Sequence, residues 1–313
     1  MNPRIIFAGG SGFLGQTLAC YFQERGFEVV VLTRAPGQTG VVGRQVAWDA
    51  CTLAVWLGEL EGATAVVNLT GKSVNCRYHA RNRREILDSR VNSTRILGEA
   101  IGRCAQPPRV WLNASTATIY KHTCEDPWDE SGETRTTPEA KDAFSVEVAS
   151  AWERTLDEAQ TPRTRKVAMR AAMVLGMGKN SVFPVLRRLV RLGLGGKMGT
   201  GRQFVSWIHE ADFCRAVDWL ITHNDIRGPV NLASPNPLRN QEMMKTLRRV
   251  CRAPFGLPAA RWMLEVGAFF LRTETELIIK SRRVIPRRLL ESGFQFRFPT
   301  IREAFESLCN LQS

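Results

Sequence analysis

Tyrosine is scarce: the chain has three in 313 residues. Four positions after Tyr21 stands Arg25, after Tyr78 stands Asn82, and after Tyr120 stands Cys124. A Tyr-x-x-x-Lys pair, which would set a phenol and an ammonium on one helix face and lower the phenol's pKa, is therefore absent. Histidine is also rare. His79, His122, His209 and His223 are scattered without metal-ligand spacing, so no metal centre is expected. The cysteines (Cys20, Cys51, Cys76, Cys104, Cys124, Cys214, Cys251 and Cys309) include no Cys-x-x-Cys pair and no close neighbours. That pattern reads as reduced cytosolic thiols rather than a disulfide framework. The longest apolar stretch, Trp262 to Leu271, is broken by Glu265 and reaches about half the roughly 20 residues of a membrane span. No secretory leader is seen, because an apolar strand begins at Ile5 and glycine interrupts it by Gly9. Internal repeats and low-complexity linkers are missing as well. These absences lead us to expect a soluble, cytoplasmic protein with no membrane partner.

What is present is ordinary in amount, at 44% hydrophobic and 23% charged residues. The length suffices for one large domain or two intimate ones. The net charge of +13 stands out, with arginines crowded into 77–95, 187–202 and 239–288. They read either as solvated helix faces or as a field that draws a polyanionic ligand. No zinc-finger or RNP signature accompanies them, so nucleic acid is not an expected partner.

Strands alternate with helices, which predicts α/β architecture: a doubly wound parallel sheet with helices on both faces. Predicted strands are Arg4–Ala8, Glu28–Thr33, Gln45–Trp48, Ala65–Leu69, Arg109–Ala114 and Lys166–Ala171. Runs such as Val29-Val30-Val31-Leu32 have the continuous apolar character of strands buried on both faces. Helices are predicted near 14–25, 52–60, 78–104 and 144–159, then at 181–192 and 210–223. Short strands are expected at Phe204–Ile208 and Val230–Ala233. The remainder reads as helical, at 240–252, 259–271, 283–292 and 301–309. This divides the chain into a Rossmann-type domain at 1–235, with 176–209 contributing to a substrate cleft, and a smaller, mostly helical C-terminal part at 236–313.

Gly9-Gly10-Ser11-Gly12-Phe13-Leu14-Gly15 lies where the first strand ends and the first helix begins. In such a strand–turn–helix, one glycine permits the tight turn, one lets the backbone approach a pyrophosphate, and one lets helix and strand pack closely. The free N–H groups at the helix start favour the phosphates. A site for NAD(H) usually carries a carboxylate after the second strand, to accept from the ribose 2′-OH. Thr33-Arg34 stands there instead, and Arg34 is suited to a 2′-phosphate, so NADP(H) is the expected cofactor.

Together with Asn68-Leu69-Thr70-Gly71 and the run from Asp88 to Arg95, this loop resembles the extended short-chain dehydrogenase/reductase superfamily. More narrowly, the chain resembles its atypical NAD(P)-dependent epimerase-like subgroup, some members of which are labelled nucleoside-diphosphate-sugar epimerases. Further matching segments are Arg191–His209, Gly228–Asn231, Pro235–Pro237, Val284–Leu290 and Gly293–Phe296. The resemblance implies cofactor contacts from Gly9, Gly10, Ser11, Gly12, Phe13, Leu14 and Gly15, from Thr33 and Arg34, and from Leu69, Thr70 and Gly71. It also implies contributions from Glu85, Arg90 and Val174. Glu85 and Arg90 also fit the charges of an exposed helix. A homodimer through packed helices is a common superfamily arrangement.

The superfamily's catalytic pair falls at Ser145 and Ala149 here, which resembles a subgroup that commonly lacks it. Ser115, after the fifth strand, stands where the superfamily's catalytic Ser or Thr is expected. The nearest phenol is Tyr120. One reading gives Ser115 the orientation of substrate and Tyr120, helped by Lys121 or His122, the proton. The other has Ser115 capping a turn and Tyr120 packing. Trp207 and His209 bear on the substrate pocket in the superfamily, although His209 also reads as a structural residue at a helix start. Trp262, Phe269 and Phe270 read as core, or otherwise as a pocket wall. Two function classes stay open. One is an NADP(H)-dependent oxidoreductase or epimerase-like enzyme on a small or nucleotide-linked substrate. The other is an NADP(H)-binding sensor with little turnover.

Overall fold

The structure is a computed structural model and describes residues 2–140, 142–260 and 280–310. Among these, seven parallel strands form one sheet: β1 (Arg4–Ala8), β2 (Glu28–Thr33), β3 (Arg44–Ala47), β4 (Ala65–Asn68), β5 (Val110–Thr116), β6 (Arg165–Ala171) and β10 (Gly228–Leu232). Their order is β10-β6-β5-β4-β1-β2-β3, with Ile5 of β1 in register with Val29 on one side and Ala65 on the other. The sequence of strands reverses between β1 and β4. Such a switch point leaves a crevice at the carboxyl ends of the strands, where ligands of open α/β sheets bind.

Side chains alternate across the sheet and find cover on both faces. Ile5 and Phe7 pack with Leu18 and Phe22 of α1 (Phe13–Glu24) and with Phe213 and Val217 of α5 (Glu210–Thr222). Ile6 and Ala8 face the other way, toward Leu97 of α2 (Ala80–Arg103), Leu156 of α3 (Ala143–Glu158) and Trp56. A separate core joins α4 (Val182–Arg191), α6 (Asn240–Val250) and α8 (Ile301–Asn310) through Phe183, Trp207, Leu247 and Phe305. By packing, residues 175–207 group with the helices after residue 235 rather than with the sheet.

Three local departures from the sequence reading have physical causes. The strand expected over Phe204–Ile208 is cut in two. β8 (Phe204–Val205) pairs antiparallel with β11 (Leu238–Arg239), and β9 (Trp207–His209) pairs parallel with β7 (Met173–Leu175). Between them, the Ser206 hydroxyl accepts from Val284 N–H at 2.8 Å and donates to the Arg282 carbonyl at 2.8 Å. The helix expected at 52–60 is a 3-10 turn over Val55–Leu60, because Asp49 first draws the Cys51 and Thr52 N–H groups into a tight turn. The helix expected at 283–292 shrinks to α7 (Arg287–Glu291), since Val284 bridges to Trp128 and Pro286 disfavours helix before it. Most of the helix expected at 259–271, with Trp262, Phe269 and Phe270, lies outside the described residues. Among the described residues, no helix is long and apolar enough to cross a membrane.

Candidate functional site

The crevice begins at the glycine turn. Gly9 has a φ of +71°, and its N–H donates to the Leu32 carbonyl at 2.9 Å. A Cβ on Gly10 would lie 2.6 Å from the Phe7 Cβ, so this residue lets the turn fold back over β1. Gly12 caps α1 without any side-chain hydrogen bond, and a Cβ there would meet nothing within 4 Å. Gly12, Phe13 and Leu14 line the cleft, so the start of α1 borders open space, where a helix N-terminus can receive phosphate.

Two adjoining cavities, of about 650 and 440 Å³, share Gly9, Gly12, Leu69, Gly71, Lys72 and Ser73. The larger runs outward past Ser11, Thr33, Arg34, Thr70, Asp49 and Glu85. Arg34 is exposed on its rim, and among the described residues no carboxylate pairs with it. The smaller runs inward over Phe13, Leu14, Gly15, Arg90 and Ser115, with Phe144 and Trp152 as aromatic wall.

The charges implied for the rim have partners of their own. Glu85 accepts from Lys72 Nζ and from Arg81 Nε at 2.8 Å. The Lys72 hydrogen bond, followed by that of Arg81, draws its carboxyl down to about 2. Arg90 donates to the Lys72 carbonyl at 3.1 Å and the Ile86 carbonyl at 2.9 Å, with its guanidinium 5.1 Å above the Trp152 ring. Burial brings that guanidinium down to about 10. Arg90 thus props the turn at Gly71-Lys72 while lining the inner cavity. Val174 sits on β7 beside Ile208 and lines neither cavity. Behind the cleft, Asn68 donates to Asn113 at 2.8 Å, and Trp152 Nε1 donates to Thr94 at 3.0 Å. These buried amides and hydroxyls tie β4, α2, β5 and α3 together under the cleft floor.

At the inner end, the structure brings Ser115 to the cavity and leaves Tyr120 out of it. The Ser115 hydroxyl donates to Glu153 Oε1 at 2.5 Å. Arg170 clasps that carboxylate with Nε to Oε1 at 2.8 Å and Nη2 to Oε2 at 2.7 Å. Its remaining Nη1 reaches the Tyr120 hydroxyl at 2.8 Å, which in turn donates to Asn231 Oδ1 at 2.8 Å. Tyr120 is 2% exposed, and burial pushes its phenol up to about 12. Its two suggested helpers are engaged elsewhere: Lys121 pairs with Glu133 at 3.3 Å, and His122 Nδ1 accepts from Ser281 N–H at 3.1 Å. Ser145 lines the cavity, whereas Ala149 is buried against Ala117 and Ile119. His209 starts α5, its Nδ1 accepting from Ala211 N–H at 3.0 Å.

Sequence reasoning missed Lys72, Asp49, Trp152, Glu153 and Arg170. One signal was available for Glu153: it follows Ser145 and Ala149 at helical spacing, so all of them share one face of α3.

Residues 5–233 match the NAD dependent epimerase/dehydratase family. The chain belongs to this family. Residues 259–308 match a domain of unknown function, DUF1731. The epimerase family protein SDR39U1 of Homo sapiens is 30% identical over 97% of this chain and 99% of its own length. The epimerase family protein YfhF of Bacillus subtilis is 29% identical over 97% of each chain. A crystal structure of the human SDR39U1 protein with NADPH superposes with a TM-score of 0.86 at 28% identity, covering 98% of this chain and 99% of that one. A nucleoside-diphosphate sugar epimerase from Corynebacterium glutamicum gives 0.77 at 26% identity, over 98% of this chain and 58% of that one.

Proposed function

We propose that this chain is an NADP(H)-dependent oxidoreductase or epimerase-like enzyme that works on a small or nucleotide-linked substrate without a Tyr-x-x-x-Lys pair. The observation that carries the reading is continuity. The cavity floored by the glycine turn runs on to Ser115, so a dinucleotide and a reactive hydroxyl share one cleft. The residues fit the cofactor. Gly12 and the start of α1 leave room and N–H groups for a pyrophosphate, and Arg34 offers an uncommitted guanidinium to a 2′-phosphate. The NADPH in the human relative supports the same choice. Bound there, the nicotinamide supplies or takes a hydride. Ser115 holds the reacting oxygen of the substrate, and Phe144, Val148 and Trp152 keep water from it.

A sensor with little turnover is the second reading, favoured by the burial of Tyr120 and by Ser145 and Ala149 in the usual catalytic positions. The cofactor test is titration with NADPH and NADH, read by tryptophan fluorescence. NADPH should bind at least about tenfold tighter, and Arg34→Ala should erase most of that difference. Equal affinities in the wild type would sink the cofactor assignment.

A further inference from the structure

We propose that Glu153 is the positioning residue and proton acceptor behind Ser115, replacing the absent Tyr/Lys pair. The inference rests on the reading of the cleft given above and deepens it. α3 presents Ser145, Ala149 and Glu153 on one face, and the third of these places a carboxylate one turn beyond the position of the missing lysine. The side chains of Glu153 and Arg170 are 14% and 8% exposed, and their contact is bidentate. Such a fork fixes the carboxylate in one orientation. Oε1, already bonded to Arg170 Nε, is the oxygen that also takes the Ser115 hydroxyl.

The geometry has a chemical consequence. A serine hydroxyl carries one proton and two lone pairs. With its proton committed to Glu153, Ser115 meets the cavity as an acceptor. It therefore recognises a substrate hydroxyl, the donor that a secondary alcohol or a sugar carbon presents. When such an alcohol is oxidised, the hydride its carbon gives up would go to the oxidised nicotinamide, and its O–H proton passes to Ser115 Oγ. The proton that Ser115 held passes to Glu153 Oε1, leaving a carbonyl and a neutral carboxyl. Carbonyl reduction runs the same transfers backwards. Arg170 stays charged throughout, and Tyr120 and Asn231 hold its far side.

The test uses the full chain loaded with NADPH and 9,10-phenanthrenequinone as the carbonyl probe, comparing wild type, Glu153→Gln, Glu153→Asp and Ser115→Ala. Glu153→Gln keeps the shape and an acceptor for Arg170 but cannot carry the proton. It should lower kcat about a hundredfold while KM and NADPH affinity stay within about twofold. Glu153→Asp, which can still carry a proton, should recover part of the loss. If Glu153→Gln does not fold, undiminished kcat in Ser115→Ala, which cuts the path to Glu153, overturns the proposal in its place. A second readout needs no turnover. The infrared carboxylate band lost in Glu153→Gln should shift in Ser115→Ala, because its hydrogen-bond donor has gone. Unchanged kcat in Glu153→Gln overturns the relay alone and leaves the cofactor reading standing. Loss of NADPH binding by the wild type removes both. If the wild type binds NADPH but leaves the quinone untouched, the infrared band decides, and an unshifted band overturns the coupling.

Discussion

Gly15 packs so closely on Gly10 that a Cβ on it would lie 2.4 Å from the Gly10 Cα and 2.4 Å from its carbonyl oxygen. The contact is backbone on backbone, so no side chain can swing away to relieve it. Gly15→Ala must push α1 off the turn, and overpacking of this kind costs about 1–3 kcal/mol. Gly12→Ala should behave oppositely. It meets nothing within 4 Å and its φ of −82° suits any residue, so stability should hold while the methyl group intrudes on the phosphate approach. Urea denaturation and NADPH titration of both variants separate the two roles. Equal stability losses would refute the distinction.

That division of labour among glycines was legible in the sequence because it is local: strand, turn and helix start lie within one short run. The strands around it were legible for a similar reason, since Val29–Leu32 and Val110–Leu112 carry their burial in their own composition. What escaped depends on contacts between distant segments. Ser115 and Glu153 are 38 residues apart, and Tyr120 is drawn from the cleft by Asn231, 111 residues away. The break at Ser206 is made by backbone 76 and 78 residues further on. Arg170 sits on a strand that mixes basic and apolar side chains, beginning with Arg165 and Lys166. Nothing in that run tells whether its guanidinium points to solvent or, as found, to a buried carboxylate.

Tyr120 offers a discriminating substitution. Its hydroxyl gives a hydrogen bond to Asn231 and takes one from Arg170, all within the buried network. Tyr120→Phe should leave both partners short of a bond and cost about 1–3 kcal/mol of stability. NADPH affinity and quinone reduction should remain within about threefold of wild type, because Ser115 and Glu153 keep their own contact. Denaturation curves beside kinetics give the answer. Collapse of turnover at undiminished stability would return the phenol to the mechanism.

His209 makes the stability of the fold depend on pH with a definite sign. Its ring is buried, lies tilted against Phe298 with centroids 4.0 Å apart, and caps α5 through Nδ1. Burial, reinforced by Arg297, lowers its pKa from 6.5 to about 4. Above pH 6.5 the ring is neutral in both folded and unfolded chains and contributes no pH dependence. Between there and about 4 only the unfolded chain takes up the proton, so stability drains away as the pH falls. The loss by about pH 4.5 amounts to roughly 2–3 kcal/mol. His209→Asn keeps a helix cap and has no proton to gain. Other titrating groups act on both proteins alike, so the stability of wild type minus variant isolates this ring. That difference should fall by roughly 2–3 kcal/mol between about pH 7.5 and about pH 4.5 in urea denaturation. A difference that stays level across this range would mean that the ring takes its proton as readily in the folded protein as in the unfolded one.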